Sequence, residues 1–96
     1  MATKDQVIEA LKTVEDPELF LDIWFLGLIY DIQIDGPRVA IDMTFTSPMC
    51  PAGPALVEEV RSKVCAIEGI EQVDVKVVFT PAWEPPEEVK ATLGLI

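Results

Sequence analysis

The stretch Val39-Ala40-Ile41-Asp42-Met43-Thr44-Phe45-Thr46-Ser47-Pro48-Met49-Cys50-Pro51-Ala52-Gly53-Pro54-Ala55-Leu56 decides the fold, because its period changes midway. Val39, Ile41, Met43 and Phe45 alternate with Ala40, Asp42, Thr44 and Thr46, the two-residue period of a strand with one buried face. Pro51 to Pro54 then opens a helix in which Leu56, Val60, Val64 and Ile67 form a stripe. Glu59 and Lys63 are placed on it for an i,i+4 pair. Gly69 closes this helix. Val73, Val75, Val77 and Phe79 alternate with Asp74, Lys76, Val78 and Thr80 as a further strand, and Pro81, Pro85 and Pro86 prevent its extension. A strand-helix-strand unit of this kind is right-handed in nearly all proteins and makes its two strands parallel.

Upstream, Leu28, Tyr30, Ile32 and Ile34 alternate with Ile29, Asp31, Gln33 and Asp35, and Asp35-Gly36-Pro37 turns the chain. The strands on either side of that turn read as an antiparallel hairpin. Before them, Thr3 and Gln6 form a capping box, and Val7, Ile8, Leu11 and Val14 recur at helical spacing, so a first helix is expected from about residue 4 to 14. Asp16-Pro17 ends it, because the residue before proline avoids the α region. A short last helix is expected over residues 86–93. The fold class is therefore α/β (α+β): a small mixed three-stranded sheet in the order αββαβα with one right-handed crossover. With 96 residues, half of them apolar, the chain supports one core, and a single domain spanning residues 1–96 is expected.

This order has a geometrical consequence. The second strand runs out at Thr46 and the third at Thr80, while the first, antiparallel to the second, begins near Gly27. Residues 16–27, 46–53 and 80–86 are thereby expected at one rim of the sheet. It is the rim at the carboxyl ends of the parallel strands, where open α/β sheets bind ligands.

Composition excludes several classes of partner. Seven Lys and Arg against seventeen Asp and Glu give a formal charge of -10, which repels nucleic acid and anionic membrane surfaces. The longest apolar stretches, such as Ile23 to Tyr30, fall far short of the roughly 20 residues a membrane span needs. No basic-then-apolar leader opens the sequence, and a cytoplasmic protein is expected. The chain has no histidine, which removes the commonest general base and the commonest zinc ligand. Its two cysteines, Cys50 and Cys65, flank or lie in one helix. At about 1.5 Å per residue they stand on the order of 20 Å apart, beyond disulfide reach, so both thiols are expected free.

The chemistry centres on Cys50. It precedes Pro51 at a helix start, where backbone N–H groups and the positive end of the helix dipole stabilise a thiolate and lower its pKa. Thr44, Thr46, Ser47 and Pro48 surround it with hydroxyls and a rigid loop that can position a sulfur. Asp16 and Glu18 are candidates to supply carboxylates to a metal or to accept hydrogen bonds; the plainer reading makes Asp16 a helix terminator and Glu18 a solvated side chain. Trp83 reads first as a lid over the core and second as a binding platform. Cys65 is expected to pack as a small half-buried residue. Phe20, Trp24 and Phe25 are too many aromatics for one face, and they either form an interface or cover the thiol.

Asp16-Pro17-Glu18, Leu26-Gly27-Leu28-Ile29-Tyr30, Thr44-Phe45-Thr46-Ser47-Pro48-Met49-Cys50-Pro51 and Pro81-Ala82-Trp83 occur in that order. Together they resemble the SufT/PaaD-type family of iron-sulfur cluster assembly proteins. The match covers nearly the whole chain, and its most specific part is the threonine-rich stretch ending in Cys-Pro. The resemblance implies a factor that helps mature iron-sulfur proteins, with Cys50 as the reactive cysteine and Asp16, Glu18, Thr44 and Thr46 as signature positions beside it. It implies an iron-sulfur cluster or iron as transient or shared cargo, and iron-sulfur assembly machinery and apo client proteins as partners. The chain departs from the pattern at Phe20, where the family often has glycine, and at Phe25, where Asp or Asn is common. Its last helix is also about one turn shorter. PaaD-type members usually carry a cysteine-rich carboxyl-terminal region that this sequence lacks, which favours the SufT-like branch.

Three functions follow for Cys50. As a non-enzymatic adaptor or carrier, the chain contacts iron or a cluster through Cys50, with Asp16 as a second candidate ligand. Clusters usually need four protein ligands, so one chain offers too few, and a homodimer or a cluster shared with a client supplies the rest. As a thiol enzyme it would lack both the usual histidine partner and a CxxC resolving thiol. As a protein-interaction module, its contact would be the hydrophobic loop at residues 19–26 and its thiol incidental. The adaptor or carrier is the expectation, and an enzyme is not.

Overall fold

The computed structural model describes residues 3–17, 20–46, 53–80 and 83–94. The elements are α1 (Lys4–Leu11), β1 (Ile29–Asp35), β2 (Arg38–Met43), α2 (Gly53–Cys65), β3 (Gln72–Val77) and α3 (Glu87–Leu93). β2 lies at the centre of the sheet, antiparallel to β1 and parallel to β3, so the hairpin and the crossover read from the periodicity are both present.

Helix α1 starts at the expected capping box. The Gln6 N–H donates to Thr3 Oγ1 at 3.2 Å and the Thr3 N–H to Gln6 Oε1 at 2.8 Å. It ends at Leu11, one turn before the expected Val14. There the Thr13 hydroxyl and N–H both donate to the Ala10 carbonyl, and the Val14 N–H reaches Leu11 O at 3.1 Å, so the ladder tightens to i→i+3 bonds and stops. Val14 is nevertheless fully buried, and its carbonyl accepts the Ile23 N–H at 2.9 Å.

Cross-strand rows account for the core. Ile32, Ile41 and Val75 sit side by side, as do Ile34, Val39 and Val73, and these rows join Val7 and Leu11 of α1 and Leu56, Val60 and Val64 of α2 in one cluster. α2 packs on β3 and α1 packs on α2. The alternate rows, Gln33-Ala40-Asp74 and Asp31-Asp42-Lys76, make up the sheet's polar face. β1 carries a register shift between Ile29 and Asp31, which interrupts the even alternation expected of it.

Several local expectations need correction. Cys65, expected to be half-buried, is exposed, because each helical residue turns about 100° from the last and Val64 beside it already faces the core. Glu58, not Glu59, forms the ion pair of α2, with Arg61 one turn on. β3 ends at Val77, so Phe79 leaves the sheet and stands 46% exposed. Gly69 serves the turn after α2, with φ of +93°, but the helix itself ends four residues earlier at Cys65.

Candidate functional site

The strand ends lie together as the crossover requires, and residues 16–27 and 80–86 are joined there, while residues 47–52 of the third expected segment lie outside the described residues. The Thr44 N–H donates to Leu28 O at 2.8 Å, which ties the end of β2 to the approach to β1. The Val78 N–H donates to Met43 O at 2.8 Å and ties in the end of β3. Across 57 residues of sequence, the half-buried Trp83 indole N–H donates to Leu26 O at 2.7 Å. Trp83 packs against the core, which is the lid role. Gly27, with φ of +75°, lies where a Cβ would come within 3.3 Å of Pro86 Cγ, so both its backbone angle and this close approach favour glycine.

On the other flank, the Phe45 ring meets Phe79 edge-on, with centroids 6.2 Å apart. Gly53 opens α2 directly against that ring: a Cβ there would lie 2.6 Å from Phe45 Cε2. Gly53, the first described residue after Cys50, thus lies against Phe45, which precedes Thr46, the last described residue before it. Cys50 itself lies outside the described residues, as do Glu18, Ser47, Pro48 and Pro51.

Asp16 and Thr44 are the buried polar side chains among the described residues, each 1% exposed. Asp16 is set in a closed loop in which its N–H donates to Leu21 O at 2.9 Å and its carbonyl accepts the Phe20 N–H at 2.8 Å. Thr44 was expected on the outer face of β2. It is buried because alternation holds only within the ladder, which ends at Met43. Its Oγ1 has no hydrogen-bond partner among the described residues. A buried hydroxyl in that state is worth less to the fold than a methyl of the same size. Thr44→Val is therefore expected to keep or raise the melting temperature, by up to about 1 kcal/mol of stability, in a thermal melt followed by circular dichroism. A loss of more than that would give the hydroxyl a structural partner. Thr46 is half-buried.

The periodicity did not reveal the conformation of Phe20, a non-glycine residue with φ of +57°, at a strain of roughly 1–2 kcal/mol. Nor did it reveal the fit of Gly53 against Phe45, although a glycine among prolines at a helix start was the available signal. Among the described residues, no group of three or more Cys, Asp or Glu side chains is arranged to hold a metal ion. No helix among them is long and apolar enough to cross a membrane.

Residues 4–77 match the model of a family described as iron-sulfur cluster assembly protein. The chain is 34% identical to an Fe-S protein maturation auxiliary factor of Porphyromonas gingivalis, over all of this chain and 95% of the relative. It is 41% identical to the Fe-S protein maturation auxiliary factor SufT of Staphylococcus aureus, over 73% of this chain and 81% of the relative. Among solved structures, a conserved hypothetical protein of Thermotoga maritima superposes with a TM-score of 0.86 at 41% identity, covering 97% of this chain and 95% of that one.

Proposed function

The chain belongs to the iron-sulfur cluster assembly protein family, and from that premise we propose that it matures iron-sulfur proteins as a cytoplasmic, non-enzymatic adaptor or carrier acting through Cys50. The observation that carries this reading is the rim. Gly53, three residues after Cys50, lies against the Phe45 ring, and the buried Asp16 carboxylate and Thr44 hydroxyl belong to the segments that close the same end of the sheet. In this reading Glu18, Thr46, Ser47, Pro48, Pro51 and Trp83 line the site, and Asp16 is the second candidate ligand.

The cluster or its iron is cargo. One chain brings one thiol to the rim, because Cys65 ends the 13-residue α2, about 18 Å along the helix from Gly53. A cluster that wants four protein ligands is then held transiently, between two copies of the chain or between this chain and an apo client. Anaerobic reconstitution with ferrous iron and sulfide, read by visible absorbance and metal analysis, tests this. The wild type is expected to hold no more than about one cluster per two chains, and Cys50→Ala none. A full cluster per chain, or one retained by Cys50→Ala, would contradict the reading.

The thiols also differ in expected reactivity. Cys65 is exposed, so accessibility alone favours it. Cys50 is expected to alkylate faster at neutral pH all the same, because its helix start stabilises the attacking thiolate. Differential labelling with mass spectrometry decides, and faster modification of Cys65 in the folded protein would remove Cys50 from its role.

A further inference from the structure

Gly53 is the one glycine of the chain whose φ is not positive. Its torsion therefore asks for no glycine, and in a helix alanine is the better residue. What stands against alanine is the Phe45 ring. A Cβ on the buried Gly53 would lie 2.6 Å from Cε2 and 2.9 Å from Cζ, well inside van der Waals contact, and 3.4 Å from Cδ2. The ring has a firm base, since Phe45 packs against the core, meets Phe79 edge-on and follows Thr44, whose N–H is bonded to Leu28 O. Residues 46–52, with Cys50 among them, run from Phe45 to Gly53. Seven extended residues reach about 23 Å, yet here the residues that flank them touch. Shutting such a segment costs chain entropy, which a contact between its ends offsets.

We propose that Gly53 is a positioning residue for Cys50: by leaving room for the Phe45 ring it lets the segment between them close, and the closed segment holds the thiol at the start of α2. The proposal rests on the reading of Cys50 as the working thiol. A Cβ at residue 53 drives the ring and the helix start apart, and the segment between them opens. The helix dipole acts only within about its first turn, so a small displacement removes the thiol from the N–H groups that favour its thiolate. The variant chain then keeps its sulfur and loses its reactivity at neutral pH.

The test follows alkylation of Cys50 by iodoacetamide, read by mass spectrometry across pH, in the wild type, Gly53→Ala and the double variant Gly53→Ala with Phe45→Leu. A leucine keeps carbons out to Cδ and lacks Cε2 and Cζ, the two atoms in the way. Gly53→Ala is expected to slow Cys50 about fivefold or more at neutral pH and not at all well above the thiol pKa, which is the profile of a raised pKa and not of a blocked sulfur. The double variant is expected to react within about twofold of the wild type. Pro54 also disfavours a helical backbone at a preceding residue that carries a Cβ, but a change at residue 45 does nothing for strain from that source. Rescue by leucine therefore singles out the ring. A Gly53→Ala rate within twofold of the wild type would overturn the proposal, as would equal slowing at every pH, or a double variant as slow as Gly53→Ala. If Gly53→Ala does not fold, the double variant carries the test alone: folding and reacting as the wild type does supports the proposal, and an unfolded or slow chain overturns it. Activation of an apo iron-sulfur enzyme by the same chains keeps the two readings apart. Acceleration that survives Cys50→Ala would contradict the maturation reading, with the alkylation rates still deciding the role of Gly53. Full acceleration by Gly53→Ala, with none by Cys50→Ala, would contradict the positioning role alone.

Discussion

Cys50→Ala is expected to leave the fold nearly intact and to abolish support for iron-sulfur protein maturation. In a strain lacking the gene, client enzyme activity with this variant should stay at the level of the deletion, while Cys65→Ala restores it fully. A thiol beside a helix cap contributes little burial, so its removal should cost about 1 kcal/mol or less, which circular dichroism of the purified variant checks. Its chemistry has no replacement. The chain has no histidine, and its other cysteine lies at the far end of α2. Nothing else in the sequence brings a thiolate to the rim, and the neighbouring Met49 offers only a neutral thioether. Cys50→Ser should behave like the alanine variant, because a hydroxyl of similar size does not ionise or bind iron as a thiolate does. Normal client activity in the alanine variant would make the chain an interaction module, and an unfolded variant would make the cysteine structural.

Ile41→Ala should remove a large part of the fold's stability. Ile41 is fully buried on the central strand, between Ile32 and Val75, and the same cluster takes in residues of α1 and α2. Deleting three buried carbons there costs about 3–4 kcal/mol, the lost transfer energy plus the cavity left behind. A domain this small has about 5–10 kcal/mol in total. At roughly 5 °C per kcal/mol the melting temperature falls by about 15 °C. Ala40→Ser, on the outer face of the same strand, should stay within about 0.5 kcal/mol of the wild type. A loss under 1 kcal/mol in Ile41→Ala would mean that the cluster does not govern stability.

The rim was legible in the sequence because its construction depends on period and order alone. Alternation marked β2 and β3, the helical stripe from Leu56 to Val64 marked α2, and a strand-helix-strand unit can place the two strand ends only at one side of the sheet. What escaped is set by contacts or torsions that carry no period. The hydrogen bond from Trp83 to Leu26 joins residues far apart in the chain, and nothing near either residue announces it. Thr44 occupies an outward position by count, but the ladder ends one residue before it and alternation ends with it. Cys65 was misplaced for the opposite reason, since its exposure follows from the helical rotation already implied by the stripe. Phe20 is the clearest case: an aromatic residue with positive φ contradicts its own propensity, and only the closed Asp16 loop explains it. The signature at Cys50 was read from residue types and order and lies outside the described residues; the bonds from Thr44 to Leu28 and from Val78 to Met43 show only how the end of β2 is tied to its two neighbouring strands.

The most direct measurement follows an apo iron-sulfur enzyme as it regains activity anaerobically with ferrous iron and a sulfide source, with and without equimolar purified chain. The account predicts that the wild type and Cys65→Ala accelerate activation equally, and that Cys50→Ala gives the rate seen with no added protein. Equal acceleration by Cys50→Ala and the wild type would contradict it.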